Sequence, residues 1–218
     1  MNKYVKKRLI CGCVFLMVFA LWTKLVCVVD VKPWGANGSN VGFASVNIWF
    51  YSVTGTNMTL YSVTDWLGLV PVAVCFVFAV MGLVQLVKRK SLLKVDVDII
   101  LTGIYYIVVF AFYFIFEMIP INYRPVLING IMEASYPSST TLLVLSVMPA
   151  LVLLTERKLK SLRIKKIFSC TVMFFSAFMV TGRLVSGVHW LTDIIGAVIL
   201  STGLFEVYKS AVLFCDKN

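Results

Sequence analysis

Residues 67–87, LGLVPVAVCFVFAVMGLVQLV, contain no charged side chain and run directly into Lys88-Arg89-Lys90. As a helix this stretch reaches about 30 Å, the thickness of a bilayer's hydrocarbon core. Further apolar runs occur at Leu9–Val29, Ile99–Ile119, Thr140–Leu154, Ile167–Val185 and His189–Val212. Of the 218 residues, 60% are hydrophobic and 14% charged, against about 25% charged in a soluble domain. The sequence therefore predicts an all-α protein: a six-span transmembrane helical bundle forming one integral membrane domain over residues 1–218.

The net charge of +10 is placed by the membrane rather than by nucleic acid. Sixteen of the twenty Lys and Arg fall in four clusters: Lys3, Lys6, Lys7 and Arg8; Lys88, Arg89, Lys90 and Lys94; Arg157, Lys158, Lys160, Arg163, Lys165 and Lys166; and Lys209 with Lys217. With six spans all four land on one side, as expected of cytoplasmic loops. This predicts cytoplasmic N- and C-termini in a cell membrane and no nucleic-acid partner. The run after Arg8 imitates a signal peptide, but it continues to Val29 without a small-residue cleavage site and reads as a retained span. Cys11, Cys13, Cys27, Cys75, Cys170 and Cys215 form no CxxC pair and read as small buried hydrophobes.

The outer connections are then Asp30–Trp66, Pro120–Ser139 and Ser186–Val188. The first is rich in aromatics, and Val41–Tyr51 reads as a helix along the membrane surface. It serves either as an interfacial anchor or as a lid or lipid entrance. Ionisable residues at span ends are functional candidates by default. Here they are Glu117, Arg124, Glu133, Arg183, His189 and Asp193, all predicted near the outer face, where they define a pocket. His189 and Asp193, four apart, share a helical face, and a carboxylate beside an imidazole fixes its tautomer. Arg124 and Arg183 offer forked donors to a phosphate or snorkel to headgroups. Tyr136-Pro137-Ser138-Ser139-Thr140-Thr141 is either a plain helix cap or an anion-binding helix N-terminus.

Taken in order, Arg124-Pro125, Pro137-Ser138-Ser139-Thr140, and Gly182-Arg183 with His189 and Asp193 resemble the three motifs of the type 2 phosphatidic acid phosphatase family. The family pattern is Lys-x6-Arg-Pro, Pro-Ser-Gly-His and Ser-Arg-x5-His-x3-Asp, and the Arg-x5-His-x3-Asp spacing matches in full. The motif-bearing core spans residues 117–193. The resemblance implies that His189 attacks phosphorus and forms a phospho-histidine, with Asp193 as its orienter. Arg124 and Arg183 would clamp the phosphate, and Ser138, Ser139 and Thr140 would supply hydrogen bonds. No metal and no cofactor are implied, and the partner is a membrane lipid.

Four positions depart from the pattern. Glu117 stands for the lysine, Thr140 for the second-motif histidine, Ser139 for glycine and Gly182 for serine. At ~5 Å and an effective dielectric of about 20, each charge–charge interaction is worth roughly 3 kcal/mol, so Glu117 for lysine weakens phosphate binding. Glu117 is expected to act either as a replacement acid or as the ion-pair partner of an arginine. The leading functional expectation is a metal-independent hydrolase, cleaving a phosphorylated or pyrophosphorylated lipid at the extracytoplasmic face. The alternative is a catalytically impaired relative that binds phospholipid headgroups or a partner protein, and a third is a transporter. Oligomeric state is not encoded in any of these patterns.

Overall fold

The structure, a computed structural model, describes residues 2–216. Lys217, counted above in the C-terminal basic cluster, lies outside the described residues. Among the described residues, six helical stretches are long and apolar enough to cross a membrane. In chain order the helices are α1 (Lys3–Val28), α2 (Ala44–Thr54), α3 (Met58–Leu67), α4 (Leu69–Arg89), α5 (Val97–Met118), α6 (Ser139–Lys158), α7 (Leu162–Val185) and α8 (Leu191–Cys215). The span expected at Leu67–Val87 is α4 extended outward by α3, one 32-residue helical stretch articulated at Gly68. The fourth span, expected to end at Leu154, continues to Lys158 with Arg157 and Lys158 in its last turn, where cations favour the helix dipole.

Helices α6 and α8 are the most enclosed, with 50% and 39% of their apolar windows buried. The other spans ring them and turn large side chains such as Ile10, Phe76 and Phe174 outward. Outward apolar faces are what a hydrocarbon solvent requires. The cysteines follow the same rule, contrary to their reading as buried: Cys13, Cys27, Cys170 and Cys215 are exposed, and Cys11 and Cys75 half-buried. A thiol is apolar enough to face lipid as readily as protein.

The first and last spans pack antiparallel. Arg8 Nη1 donates to both oxygens of Glu206 (2.7 and 2.9 Å) at one end, and Trp22 Nε1 donates to the Thr192 carbonyl (3.3 Å) at the other. Between them the backbones almost touch: a Cβ at Gly12 would lie 2.9 Å from the Gly203 carbonyl oxygen. Small residues at such crossings permit the close approach that holds membrane helices together. Tyr105 stacks on Tyr208 at 4.4 Å, and the Tyr208 hydroxyl lies 2.8 Å from Thr102 Oγ1, which ties α5 to α8.

The surface helix expected at Val41–Tyr51 is present as α2, beginning later because Phe43 takes a left-handed conformation (φ 48°). It does more than anchor. Asn47, buried, donates to Thr192 Oγ1 (3.0 Å) and accepts from the Thr192 N–H (3.2 Å), so α2 braces the start of α8.

Replacing Gly12 with Ala forces α1 away from α8 and should cost about 1–3 kcal/mol. Thermal unfolding in detergent should show a lowered midpoint for Gly12→Ala. Gly103→Ala, whose Cβ meets nothing within 4 Å, should leave the midpoint unchanged or raise it.

Candidate functional site

All three connections at the end of the bundle away from the chain termini contribute to one site. Residues 119–138 fold back as a hairpin closed by Asn129-Gly130, both at positive φ (51° and 79°), with Ile128 paired to Ile131. Consecutive positive φ values are the requirement of a type I′ turn, which Asn-Gly satisfies. Higher up, the Arg124 N–H donates to the Glu133 carbonyl (3.1 Å), and the Ser135 N–H to the Asn122 carbonyl (2.9 Å). The hairpin thereby holds Arg124 beside Glu133, and Arg124 Nη2 meets Glu133 Oε2 at 3.1 Å.

Arg183 comes from the last turn of α7 and is almost wholly buried. Its Nη2 donates to Asp65 Oδ1 (3.0 Å) and Thr140 Oγ1 (2.5 Å). The guanidinium carbons of Arg124 and Arg183 lie 5.5 and 4.9 Å from the ring centre of Tyr61. Two like charges therefore converge on one aromatic ring, with a carboxylate on each. Tyr61 and Asp65 lie one turn apart on α3, in a stretch expected to be an outer loop. Asn57 caps that helix by accepting the Leu60 N–H (2.9 Å). Asn57 followed by the i, i+4 pair Tyr61 and Asp65 was the signal available in the sequence.

His189 sits in the short turn between α7 and α8. Gly187 there has φ +67°, and a Cβ at that position would fall 1.8 Å from the Gly55 carbonyl oxygen, so only glycine fits. His189 Nδ1 lies 3.1 Å from the Ser135 carbonyl, which can only accept, so Nδ1 carries the proton and Nε2 the lone pair. Nε2 is buried and makes no hydrogen bond within the protein. Burial, then the nearby Arg124 and Arg183 charges, hold the imidazole well below the usual histidine range and hence neutral at pH 7.

Asp193, fully buried, lies with Oδ2 3.7 Å from His189 Nδ1. The same oxygen accepts the Trp190 N–H (2.9 Å), and Oδ1 accepts from Asn122 Nδ2 (3.4 Å). The direct bond to the imidazole is made by the Ser135 carbonyl, while Asp193 fixes the backbone beside it. Ser138 is also buried, but its hydroxyl donates to Thr141 Oγ1 (3.0 Å) and its N–H to the Asp193 carbonyl (3.2 Å). It lies off the cavity wall, where Ser139 and Thr140 stand instead. The N–H groups of Ser139, Thr140 and Thr141 precede the first bond of α6, from the Leu142 N–H to the Ser138 carbonyl, and form its positive end.

The cavity has a volume of about 660 Å³ and is walled by Tyr61, Asp65, Glu117, Arg124, Glu133, Thr140 and Arg183, among others. Glu117 is exposed at this wall and forms no salt bridge. The ion-pair role expected of it belongs to Glu133 and Asp65, because the hairpin and α3 bring those carboxylates closer. Among the described residues no group of three His, Cys, Asp or Glu side chains is placed to hold a metal ion.

The chain belongs to the PAP2 superfamily, whose model matches residues 101–214. Its fold is similar to a crystal structure described as the first transmembrane PAP2 type phosphatidylglycerolphosphate phosphatase from Bacillus subtilis. The two superimpose with a TM-score of 0.61 at 16% identity, over 94% of this chain and 96% of that one. No curated protein sequence matches the chain. The matched segment holds all eight residues expected from the motifs but excludes α3, which carries Tyr61 and Asp65.

The depressed His189 pKa has a measurable consequence. Below about pH 6.5 the unfolded chain binds a proton at this residue that the folded chain refuses, so stability falls with acid, by up to about 1.4 kcal/mol per pH unit. His189 is the only histidine. Denaturant unfolding between pH 7 and pH 5 should show this slope in the wild type and a flatter one in His189→Gln; equal slopes would contradict the burial of a neutral imidazole.

Proposed function

We propose that the protein is a lipid phosphatase that hydrolyses a phosphorylated or pyrophosphorylated lipid through a phospho-histidine. The observation that carries this reading is a set of five buried nitrogens with no hydrogen bond inside the protein: Nε and Nη1 of Arg124, Nε and Nη1 of Arg183, and Nε2 of His189. Unpaired buried donors are expensive. Four of these can donate to phosphate oxygens, and the fifth presents a lone pair to phosphorus.

His189 Nε2 attacks phosphorus, and the bond from phosphorus to the leaving oxygen breaks, its electron pair departing with that oxygen, which then takes a proton. Water next attacks the phospho-histidine. The P–N bond breaks, the lone pair returns to Nε2, and inorganic phosphate leaves with release of a proton. Arg124 and Arg183 balance the charge on the equatorial oxygens throughout, the task a metal performs in other phosphatases. The basic clusters at the opposite end of the bundle support an extracytoplasmic site with both termini in the cytoplasm.

Thr140 stands where the family's acid is expected, and its hydroxyl oxygen accepts from Arg183. Without a proton donor there, a basic alkoxide leaves slowly, whereas the phosphate leaving from a pyrophosphate needs little help. A second reading, a headgroup-binding relative without turnover, is favoured by the same Thr140–Arg183 bond and by Glu117 in place of lysine.

Phosphate release by purified protein should favour a lipid pyrophosphate over its monophosphate, by up to the 10²–10⁴-fold that a general acid typically contributes (roughly). His189→Ala should abolish release from both, and Thr140→His should narrow the gap by raising monophosphate turnover. Comparable wild-type rates on the two lipids would remove the preference. Saturable lipid binding with no release from either would support the second reading.

A further inference from the structure

A second cleft lies in the half of the bundle that carries the chain termini, away from the arginines. Helices α7 and α8 are joined by the short turn at the opposite end. Toward the termini, Ser169, Met173 and Ser176 of α7 and Phe205 and Lys209 of α8 line an opening of about 340 Å³, floored by α6 between Leu145 and Glu156. Small side chains at Ser169, Ser176 and Pro149 leave this space unfilled, and exposed Met173 marks its lipid-facing mouth. The volume falls within the range of ligand clefts, about 300–1,000 Å³. Two side chains of opposite sign share it. Glu156 stands at the C-terminal end of α6, and Lys209 six residues before the end of α8 at Cys215. Among the described residues neither forms a salt bridge, so the two charges occupy one cleft without meeting. Lys209 Nζ instead lies 5.8 Å from the ring centre of Phe205.

Ionisable side chains inside a span are costly unless something answers their charge. Snorkelling to the interface would satisfy Lys209, but it leaves a carboxylate in the same cleft and an apolar opening that lipid must fill. We propose that the cleft binds a zwitterionic phospholipid from the leaflet bordering the chain termini. Its phosphate rests on Lys209, its protonated amine on Glu156, and one acyl chain lies along α6. Charge complementarity selects this class, because one headgroup carries both signs without their meeting, as the cleft does. An acidic headgroup would answer Lys209 but set a second negative group against Glu156. Arg163, Lys165 and Lys166 at the start of α7 draw acidic lipid to this surface in general, which makes Glu156 the discriminating residue.

The test is native mass spectrometry of the full-length protein in detergent, titrated with phosphatidylethanolamine and with phosphatidylethanol of identical acyl chains, which keeps the phosphate and lacks the amine. Wild type should bind phosphatidylethanolamine about fivefold more tightly, the factor given by one modest ion pair. Glu156→Gln should erase that difference by weakening phosphatidylethanolamine alone, and Lys209→Gln should weaken both lipids. Lys165→Gln, which removes a charge outside the cleft, should leave the difference intact. Equal wild-type affinities overturn the proposal. So does a preference that survives Glu156→Gln, which would put amine recognition elsewhere. Tighter binding of phosphatidylethanol that Lys209→Gln abolishes would make the cleft a site for acidic lipid and overturn the zwitterionic one. A two-chain species that neither lipid disperses and that Met173→Lys abolishes would put a second copy of the chain in the cleft instead.

Discussion

Two guanidinium groups drawn together at one end of an apolar bundle form the constraint around which the rest of the outer structure is arranged. Arg124 and Arg183 are buried, both lie against the ring of Tyr61, and repel one another. Such a pair persists only when each charge is compensated and held by hydrogen bonds. Glu133 compensates one and Asp65 the other. Burial, with the Arg124 and Arg183 charges acting in the same direction, holds the His189 imidazole well below the usual histidine range. One end of the bundle thus holds fixed cations, buried donors without a partner in the protein and an imidazole nitrogen without one.

The bundle holds that end together by means with no charge in them. Gly12 and Gly203 let α1 and α8 approach until backbone meets side chain. Asn47 from α2 and Asp193 from α8 itself then bind the first backbone groups of that helix. The turn bearing His189 is pressed against residues 55–57, with the Asn57 N–H donating to the Ser186 carbonyl (2.9 Å). The turn bearing His189 is therefore held by packing and backbone hydrogen bonds, and the two arginines by ion pairs.

Much of this was legible in the sequence, because hydrophobic runs and basic clusters are determined by the membrane and need no tertiary information. The motif residues Arg124, Thr140, Arg183, His189 and Asp193 were singled out by spacing; the structure brings Arg124, Thr140 and Arg183 to one cavity wall and sets His189 beside Asp193, off that wall. What sequence could not supply was which carboxylate each arginine would meet. Glu117 has the expected spacing from Arg124, yet the Asn129-Gly130 hairpin presents Glu133 instead, and α3 presents Asp65 to Arg183. The region of α3 was obscured because its aromatics suggested a membrane interface, and a polar-aromatic helix above the bilayer carries no run of apolar residues to mark it. Ser138 likewise kept its place but not its direction: its hydroxyl turns to Thr141, a choice settled by helix-end geometry.

The second span extends past the membrane as one helical stretch of 32 residues from Met58 to Arg89. At 1.5 Å per residue this is roughly 48 Å, well beyond the ~30 Å of hydrocarbon. Its lower part answers to the lipid, while its upper part carries Tyr61 and Asp65 against the arginines. The apolar part alone, Leu69–Arg89, is about 31 Å long and matches the hydrocarbon, and because Gly68 keeps helical backbone angles (φ −61°, ψ −17°) the direction of α4 is carried on into α3. How the second span sits in the lipid is thereby tied to where Tyr61 and Asp65 stand beside the two arginines.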